Sequence, residues 1–190
     1  MRARPAPRIA LPGEPLRDGD TVVRQWRDDD VPSLVAICQD PEIVRWIRVP
    51  SPYGTDEARA YLSSRDPAAR SGAGAHLAIA AARDGGLLGS ISLLRFAWAD
   101  RRAEVGYWLG ASARGQGHAT RAVTLISQWG FRALSLERIE LHAATANPAS
   151  QRVAERAGFT REAVLRSYLQ GAEGRQDIVC FGLLATDPAP

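Results

Sequence analysis

Arg114-Gly115-Gln116-Gly117-His118-Ala119 lies between a strand-like run and a helix-like run, and how it reads decides the fold. The run before it, Ala103-Glu-Val-Gly-Tyr-Trp-Leu109, holds aromatic and β-branched residues that suit a pleated surface. After it, Ala122, Ile126, Trp129 and Ala133 recur at helical spacing and predict one apolar stripe on a helix over 119–134. A glycine turn that opens a helix directs several free backbone N–H groups, and the positive end of the helix dipole, at one point. Such a point holds phosphate.

Three phosphate ligands compete for it. A Walker-type loop requires a lysine after its glycines, and all 24 basic residues here are arginine. That excludes the first. The dinucleotide fingerprint Gly-x-Gly-x-x-Gly is half met by Gly115-x-Gly117-x-x-Thr120, with the third glycine absent and the turn in mid-chain. The third pattern, Arg/Gln-x-x-Gly-x-Gly/Ala, is met by Arg114, Gly117 and Ala119.

This third pattern resembles the acyl-coenzyme A loop of the GNAT superfamily of N-acetyltransferases. Downstream, Asn147-Pro-Ala-Ser150, then Glu155-Arg-Ala-Gly-Phe159 and Glu162, is similar to the signature of the subgroup that acetylates ribosomal-protein N-termini. The resemblance is clear over residues 76–185 and holds only in outline before them. It implies an α/β fold, a single domain whose central mixed, mostly antiparallel sheet is flanked by helices. It implies transfer of an acetyl or other short acyl group from acyl-CoA to a primary amine, by direct attack in a ternary complex. A protein or peptide α-amino group is the leading acceptor. A small-molecule amine (aminoglycoside, polyamine or amino-acid derivative) and a non-catalytic CoA-binding regulatory module are the alternatives, and a homodimer is left open.

Residue by residue, the resemblance places the pyrophosphate on Arg114, Gly115, Gln116, Gly117, His118, Ala119 and Thr120. His118 is a tempting catalyst because an unperturbed imidazole titrates near neutrality, but its place in the loop points to a solvent-facing or phosphate-adjacent side chain. Glu104, on the strand leading to the loop, is the expected base; by alternation it shares a face with Gly106 and Trp108. A backbone N–H near Trp108 or Leu109 would meet the oxyanion. Asn147 would touch the pantetheine arm, and Ser150 would lie near the sulfur as a proton relay. As plain structure, Asn147 as N-cap, Pro148 at the first helical position and Ser150 at the third make a helix start. The tyrosine acid that many relatives place seven residues after this asparagine is here Ala154. That raises Ser150 or a water, with Tyr168 in reserve. Arg152 and Arg156 are offered to the 3′-phosphate of the coenzyme. Trp46 and Tyr53, flanking the 48–54 loop, are the expected acceptor contacts.

Composition sets the frame. At 190 residues, 45% hydrophobic and 24% charged, the chain has the makings of one globular domain with a proper core. It divides into an irregular arm over 1–20, a catalytic domain over 21–185 and a tail over 186–190. Two cysteines, Cys38 and Cys180, are too few for a disulfide framework and fit buried thiols in a reducing cytoplasm. No apolar run is long enough to span a bilayer, and the basic N-terminus lacks the apolar core of a secretory signal. A net charge of +3 from scattered arginines does not make the concentrated face of a nucleic-acid binder. The exclusive use of arginine fits a GC-rich bacterial coding sequence. No metal is expected.

The remaining elements read from periodicity and turn residues. Strands are predicted at 21–26, 76–83, 87–96, 138–145, 163–169 and 177–184. Helices are predicted from Asp28-Asp-Asp30 with Pro32, at 41–47, at 56–63 behind a Thr55 cap, and at 150–157 before Gly158.

Overall fold

In a computed structural model, which describes residues 6–47, 49–50, 52–171 and 174–188, the strand-forming runs join one sheet in the order β1-β2-β3-β4-β5-β6-β8-β7. These are β1 (Leu16–Asp18), β2 (Thr21–Arg24), β3 (Gly74–Ala81), β4 (Leu87–Ala97), β5 (Arg102–Leu109), β6 (Arg138–Ala144), β7 (Thr160–Gly171) and β8 (Gly174–Leu184). The helices are α1 (Val31–Cys38), α2 (Pro41–Trp46), α3 (Thr55–Ser63), α4 (Arg65–Arg70), α5 (His118–Leu134) and α6 (Pro148–Arg156). Every strand pair is antiparallel except β5 with β6. A parallel pair needs a crossover, and the amphipathic α5 supplies it.

That parallel pair is also where the sheet opens. Residues Arg102–Val105 are in register with Arg138–Leu141, and beyond them β5 continues to Leu109 and β6 to Ala144 with no pairing between the two. The Arg101 carbonyl accepts from the β6 side, from Glu137 N at 2.7 Å, whereas Gly110 N donates to Leu88 O of β4 at 2.9 Å. Backbone groups alternate sides along a strand. Trp108 therefore turns its N–H and C=O to β4, and Tyr107 and Leu109 turn theirs into the opening.

The main core lies between the sheet and α5 with α6. Leu77, Ile79, Ile91, Leu93, Ile126, Ile139, Leu141 and Phe181 are fully buried in it. Burying each such side chain contributes about 1.5–3 kcal/mol. A smaller cluster of Val31, Leu34, Cys38, Tyr53 and Ala58, with Trp26, Tyr61 and Trp108 against it, packs α1 and α3 on the opposite face.

Four details depart from the sequence expectations. The 1–20 arm is not irregular throughout: Leu16–Asp18 pairs with Thr21–Val23, and Ile9 is 2% exposed in the core and donates its N–H to Ala69 O. Residues 1–5 of that arm lie outside the described residues, as do Arg48 and Ser51 of the 48–54 loop, 172–173 of the last hairpin turn and 189–190 of the tail. The α5 stripe runs through Ala119, Ala122, Val123, Ile126, Trp129 and Gly130, and Ala133 is exposed while its neighbour Leu134 packs against the core. Thr55 is the first residue of α3 and not its cap; Gly54 precedes it, and the Glu57 carboxylate reaches back to Gly54 N at 2.8 Å. Finally, the helix α4 was not anticipated at all.

Candidate active site

Two glycines shape the loop before α5. Gly115 has φ +76° and Gly117 φ +81°, in the left-handed region that side chains resist. Gly117 stands at the N-cap, and the first intrahelical bond runs from Arg121 N to Gly117 O at 3.1 Å. The N–H groups of His118, Ala119 and Thr120 precede that bond and point out of the helix end. Side chains brace the loop from behind. Arg121 donates Nη2 to Gln116 O at 2.8 Å and Nε to Thr21 Oγ1 at 2.9 Å, and Gln116 Nε2 donates to Ser112 O at 2.6 Å.

His118 belongs to this bracing. Its ring is 7% exposed, and Nδ1 lies 2.8 Å from Thr21 Oγ1. That hydroxyl also accepts from Arg121 Nε, so Thr21 ties the imidazole and the guanidinium together behind the loop. Burial, and then the nearby Arg121, hold its pKa below the ordinary imidazole range. The expected solvent-facing or phosphate-adjacent side chain is thus an internal one, and only the backbone N–H of His118 faces outward. Arg114 is a brace too. Its Nε donates to Leu109 O at 3.1 Å, and its Nη2 pairs with Asp40, whose other oxygen caps α2 by accepting from Glu42 N at 3.0 Å.

Two cavities meet where the sheet opens. The first, about 240 Å³, runs from Gly115 and Ala119 past Trp108 and Leu109 to Asn147 and Ser150. The second, about 210 Å³, holds Arg95, Glu104, His142 and Tyr168. Trp46, Ile47, Tyr107, Asn147 and Ser150 line both. Asn147 is the N-cap of α6, with Oδ1 accepting from Ser150 N at 3.0 Å, as the Asn-Pro-x-Ser spacing predicts. At the junction Tyr107 donates its hydroxyl to Ser150 Oγ at 3.1 Å. Burial raises the Tyr107 phenol to about 12, and the Ser150 bond opposes that only in part. The phenol is therefore protonated at neutral pH.

Glu104 lies in the second cavity with one carboxylate oxygen engaged. Oε2 accepts from Arg95 Nη1 at 2.7 Å and lies 3.2 Å from His142 Nδ1. Burial would raise its pKa, but His142 and Arg95 outweigh it and hold the carboxyl below the ordinary range. Arg95 itself sits at φ +52° beside a bulge between Leu94 and Ala97. A non-glycine residue there costs about 1–3 kcal/mol and is kept by its surroundings.

Of the remaining sequence candidates, Trp46 stands at the mouth of both cavities, its Nε1 donating to Glu42 at 3.1 Å. Tyr53 is 7% exposed inside the α1–α3 cluster, and it lines a separate apolar cavity of about 320 Å³ behind Trp108. It is a packing residue relative to the junction. Arg152 and Arg156 are exposed on α6, with no hydrogen bond or ion pair among the described residues. Tyr168 stands edge-on to His142 with ring centroids 5.9 Å apart. Tyr107, His142 and Arg95 were not singled out from sequence. His142 had left a signal: it alternates with Glu140 on the polar side of its strand. Tyr107 had left only its place one residue before Trp108.

With the open helix N-terminus and the split parallel pair described, the chain can be set beside known proteins. Mycobacterium smegmatis RimJ, solved in complex with CoA-disulfide, superposes with a TM-score of 0.81 at 26% identity, over 90% of this chain and 86% of its own. The Bacillus subtilis protein YdaF is 37% identical over 101 residues, which is 53% of this chain and 55% of that protein. The ribosomal-protein-serine acetyltransferase of Escherichia coli is 35% identical over 80 residues, 42% of this chain and 45% of its own, so the chain spans about half the length of both relatives. The family model of the acetyltransferase (GNAT) domain matches residues 20–160, from β2 through the donor loop to the start of β7. The chain belongs to the GNAT acetyltransferase family.

Proposed function

We propose that the chain acetylates a protein or peptide α-amino group, using acetyl-CoA as co-substrate. The observation that carries this reading is the meeting of the two cavities at the Tyr107–Ser150 hydrogen bond. The phosphate end of one and the charged cluster of the other lie on opposite sides of it. The name of the Escherichia coli relative, a ribosomal-protein-serine acetyltransferase, supports a ribosomal protein as acceptor.

The pyrophosphate is held by the outward N–H groups of residues 115–120, with glycine needed for close approach. Arg156 and Arg152 are free to meet the 3′-phosphate. The thioester lies in the opening between β5 and β6, where the Leu109 N–H, turned away from β4, donates to the developing oxyanion. The acceptor amine enters from the Glu104 side, surrenders its proton there and attacks the carbonyl carbon. On collapse the C–S bond breaks, and the thiolate takes a proton from Ser150 Oγ, which is resupplied by the Tyr107 phenol. Trp46 closes the mouth over both substrates. Tyr107 so takes the place of the tyrosine absent at Ala154, approaching the sulfur from β5 in place of α6.

An acetyl-CoA turnover screen, reading free thiol against a panel of amines and N-terminal peptides, tests the reading. Tight acetyl-CoA binding without thiol release for any acceptor would sink it and leave a CoA-binding module. Preferred release with an aminoglycoside or polyamine would move the acceptor to small molecules. Tyr107→Phe removes the phenol proton and keeps the ring. We expect kcat to fall about 100-fold, the lower end of the range for a lost general acid, with the KM for acetyl-CoA within twofold. Unchanged kcat would return the acid to Ser150 alone or to water.

A further inference from the structure

The charged pocket contains an imidazole that nothing above employs. Leu141 is the last β6 residue in register with β5, so His142 is the first residue past the point where the sheet opens. Its side chain is 15% exposed, and that of Glu104 is 14% exposed. Nδ1 is turned to the Glu104 carboxylate at 3.2 Å, shut off from solvent and off the axis of a full hydrogen bond. Nε2 has no hydrogen bond among the described residues, and the ring lines the second cavity. Tyr168 of β7 stands edge-on to the ring and limits its rotation.

Charge decides between the two bases. The groups facing His142 are Glu104 on β5, Arg95 on β4 beyond it, Tyr168 on β7, Cys180 opposite it on β8, and Glu140 two residues back on the same face. Glu104 Oε2 already receives the Arg95 guanidinium at 2.7 Å and the imidazole. A carboxylate beside a guanidinium and an imidazole has a lowered affinity for a proton. The imidazole has the opposite position: one nitrogen against an anion and the other open to the cavity. A carboxylate that accepts from Nδ1–H fixes the tautomer with its lone pair on Nε2 and offsets the charge of the imidazolium that forms.

We propose that His142 Nε2 receives the proton of the acceptor ammonium, with Glu104 as the positioning residue that holds Nδ1–H. The proposal rests on the acetyltransferase reading and assigns one step within it. An ammonium N–H bond breaks, its proton passes to Nε2, and the freed nitrogen pair forms the C–N bond to the thioester carbon. The misaligned contact tightens when substrates fill the cavity, as such contacts do in unliganded enzymes.

The test uses the full chain, acetyl-CoA and a synthetic peptide with a free N-terminal serine. The kcat profile reports groups in the bound complex, and the wild type should lose rate on the acid side as the base takes up its proton. His142→Gln should abolish that limb and lower kcat about 100-fold, within the range of a lost general base, with acetyl-CoA affinity unchanged. Glu104→Gln should keep the limb but move it to lower pH, because removing the anion disfavours the imidazolium. A limb that survives in His142→Gln and vanishes in Glu104→Gln would make Glu104 the base and overturn the proposal. Nitrogen-15 spectra of the imidazoles give a readout that needs no acceptor, since the chain has only three histidines. Protonated Nδ1 on neutral His142, with a titration midpoint lowered in Glu104→Gln, supports the pair; the opposite tautomer or an unmoved midpoint overturns it. Absence of turnover by the wild type, with the spectra as expected, would instead overturn the acetyltransferase reading and leave the Glu104–His142 pair standing.

Discussion

Gly117→Val is expected to reduce acetyl-CoA affinity at least about 100-fold, a loss of about 2.7 kcal/mol. Two effects combine. Gly117 has φ +81°, where a β-branched residue is strained by about 1–3 kcal/mol. A Cβ on it would also stand 2.8 Å from Arg121 Nη1. That guanidinium tip could swing aside, but it is the group that holds Gln116 O and Thr21, so moving it unbraces the loop. Gly115→Ala is the control, because φ there is +76° while nothing lies within 4 Å of an added Cβ. It should lose no more than about tenfold, or 1.4 kcal/mol. Calorimetric titration with acetyl-CoA measures both, and melting temperature checks the fold. Equal losses would remove Arg121 from the explanation, and unchanged affinity in Gly117→Val would refute the placement of the phosphates on this loop.

The backbone geometry on which the proposed donor site rests is legible in the sequence for a physical reason. Phosphate binding at a helix end uses backbone geometry, and backbone geometry is written in glycines and caps: Gly117 before α5, Asn147 and Pro148 before α6, Gly158 after it. Those signals are local in the chain. The proton-handling groups are not. Tyr107 reaches Ser150 across 43 residues, and His142 reaches Glu104 only because the β5–β6 pairing ends between Leu141 and His142. The point where a parallel pair stops has no residue code, so periodicity could place Glu104 on the right face without showing what it touches. His118 failed for a related reason. Its neighbours in sequence are those proposed to face the phosphates, whereas its side chain answers to Thr21, 97 residues away. Tyr53 packs with Cys38 and Leu34, of which a loop containing Pro50 and Pro52 gave no sign.

Asp30 is the clearest case of a residue whose local and tertiary meanings differ, and it carries the largest stability effect we expect. In the sequence, Asp28-Asp-Asp30 is an acidic helix start, three carboxylates that complement a dipole and sit in solvent. In the fold, Asp28 and Asp29 do stay exposed, but Asp30 turns inward with its side chain 6% exposed against Arg24 at 5%. The pair is bidentate, Nη1 to Oδ2 at 2.8 Å and Nη2 to Oδ1 at 2.7 Å, and Oδ2 also accepts from Arg27 N at 2.9 Å. Arg24 uses its remaining reach on Gln25 O and Gly85 O, both at 3.0 Å, and its Nε is buried without a partner. Asp30→Ala would therefore leave a buried guanidinium whose charge no anion offsets, a loss of about 3–5 kcal/mol. For a chain of this size that corresponds to a fall in melting temperature of roughly 10 °C. The penalty belongs to the stranded charge more than to the missing bond. Arg24→Met with Asp30→Leu, which removes both charges and keeps the volume, should then recover most of the stability. A double variant as unstable as Asp30→Ala would show instead that the bidentate geometry, tying the start of α1 to β2, is what the fold requires.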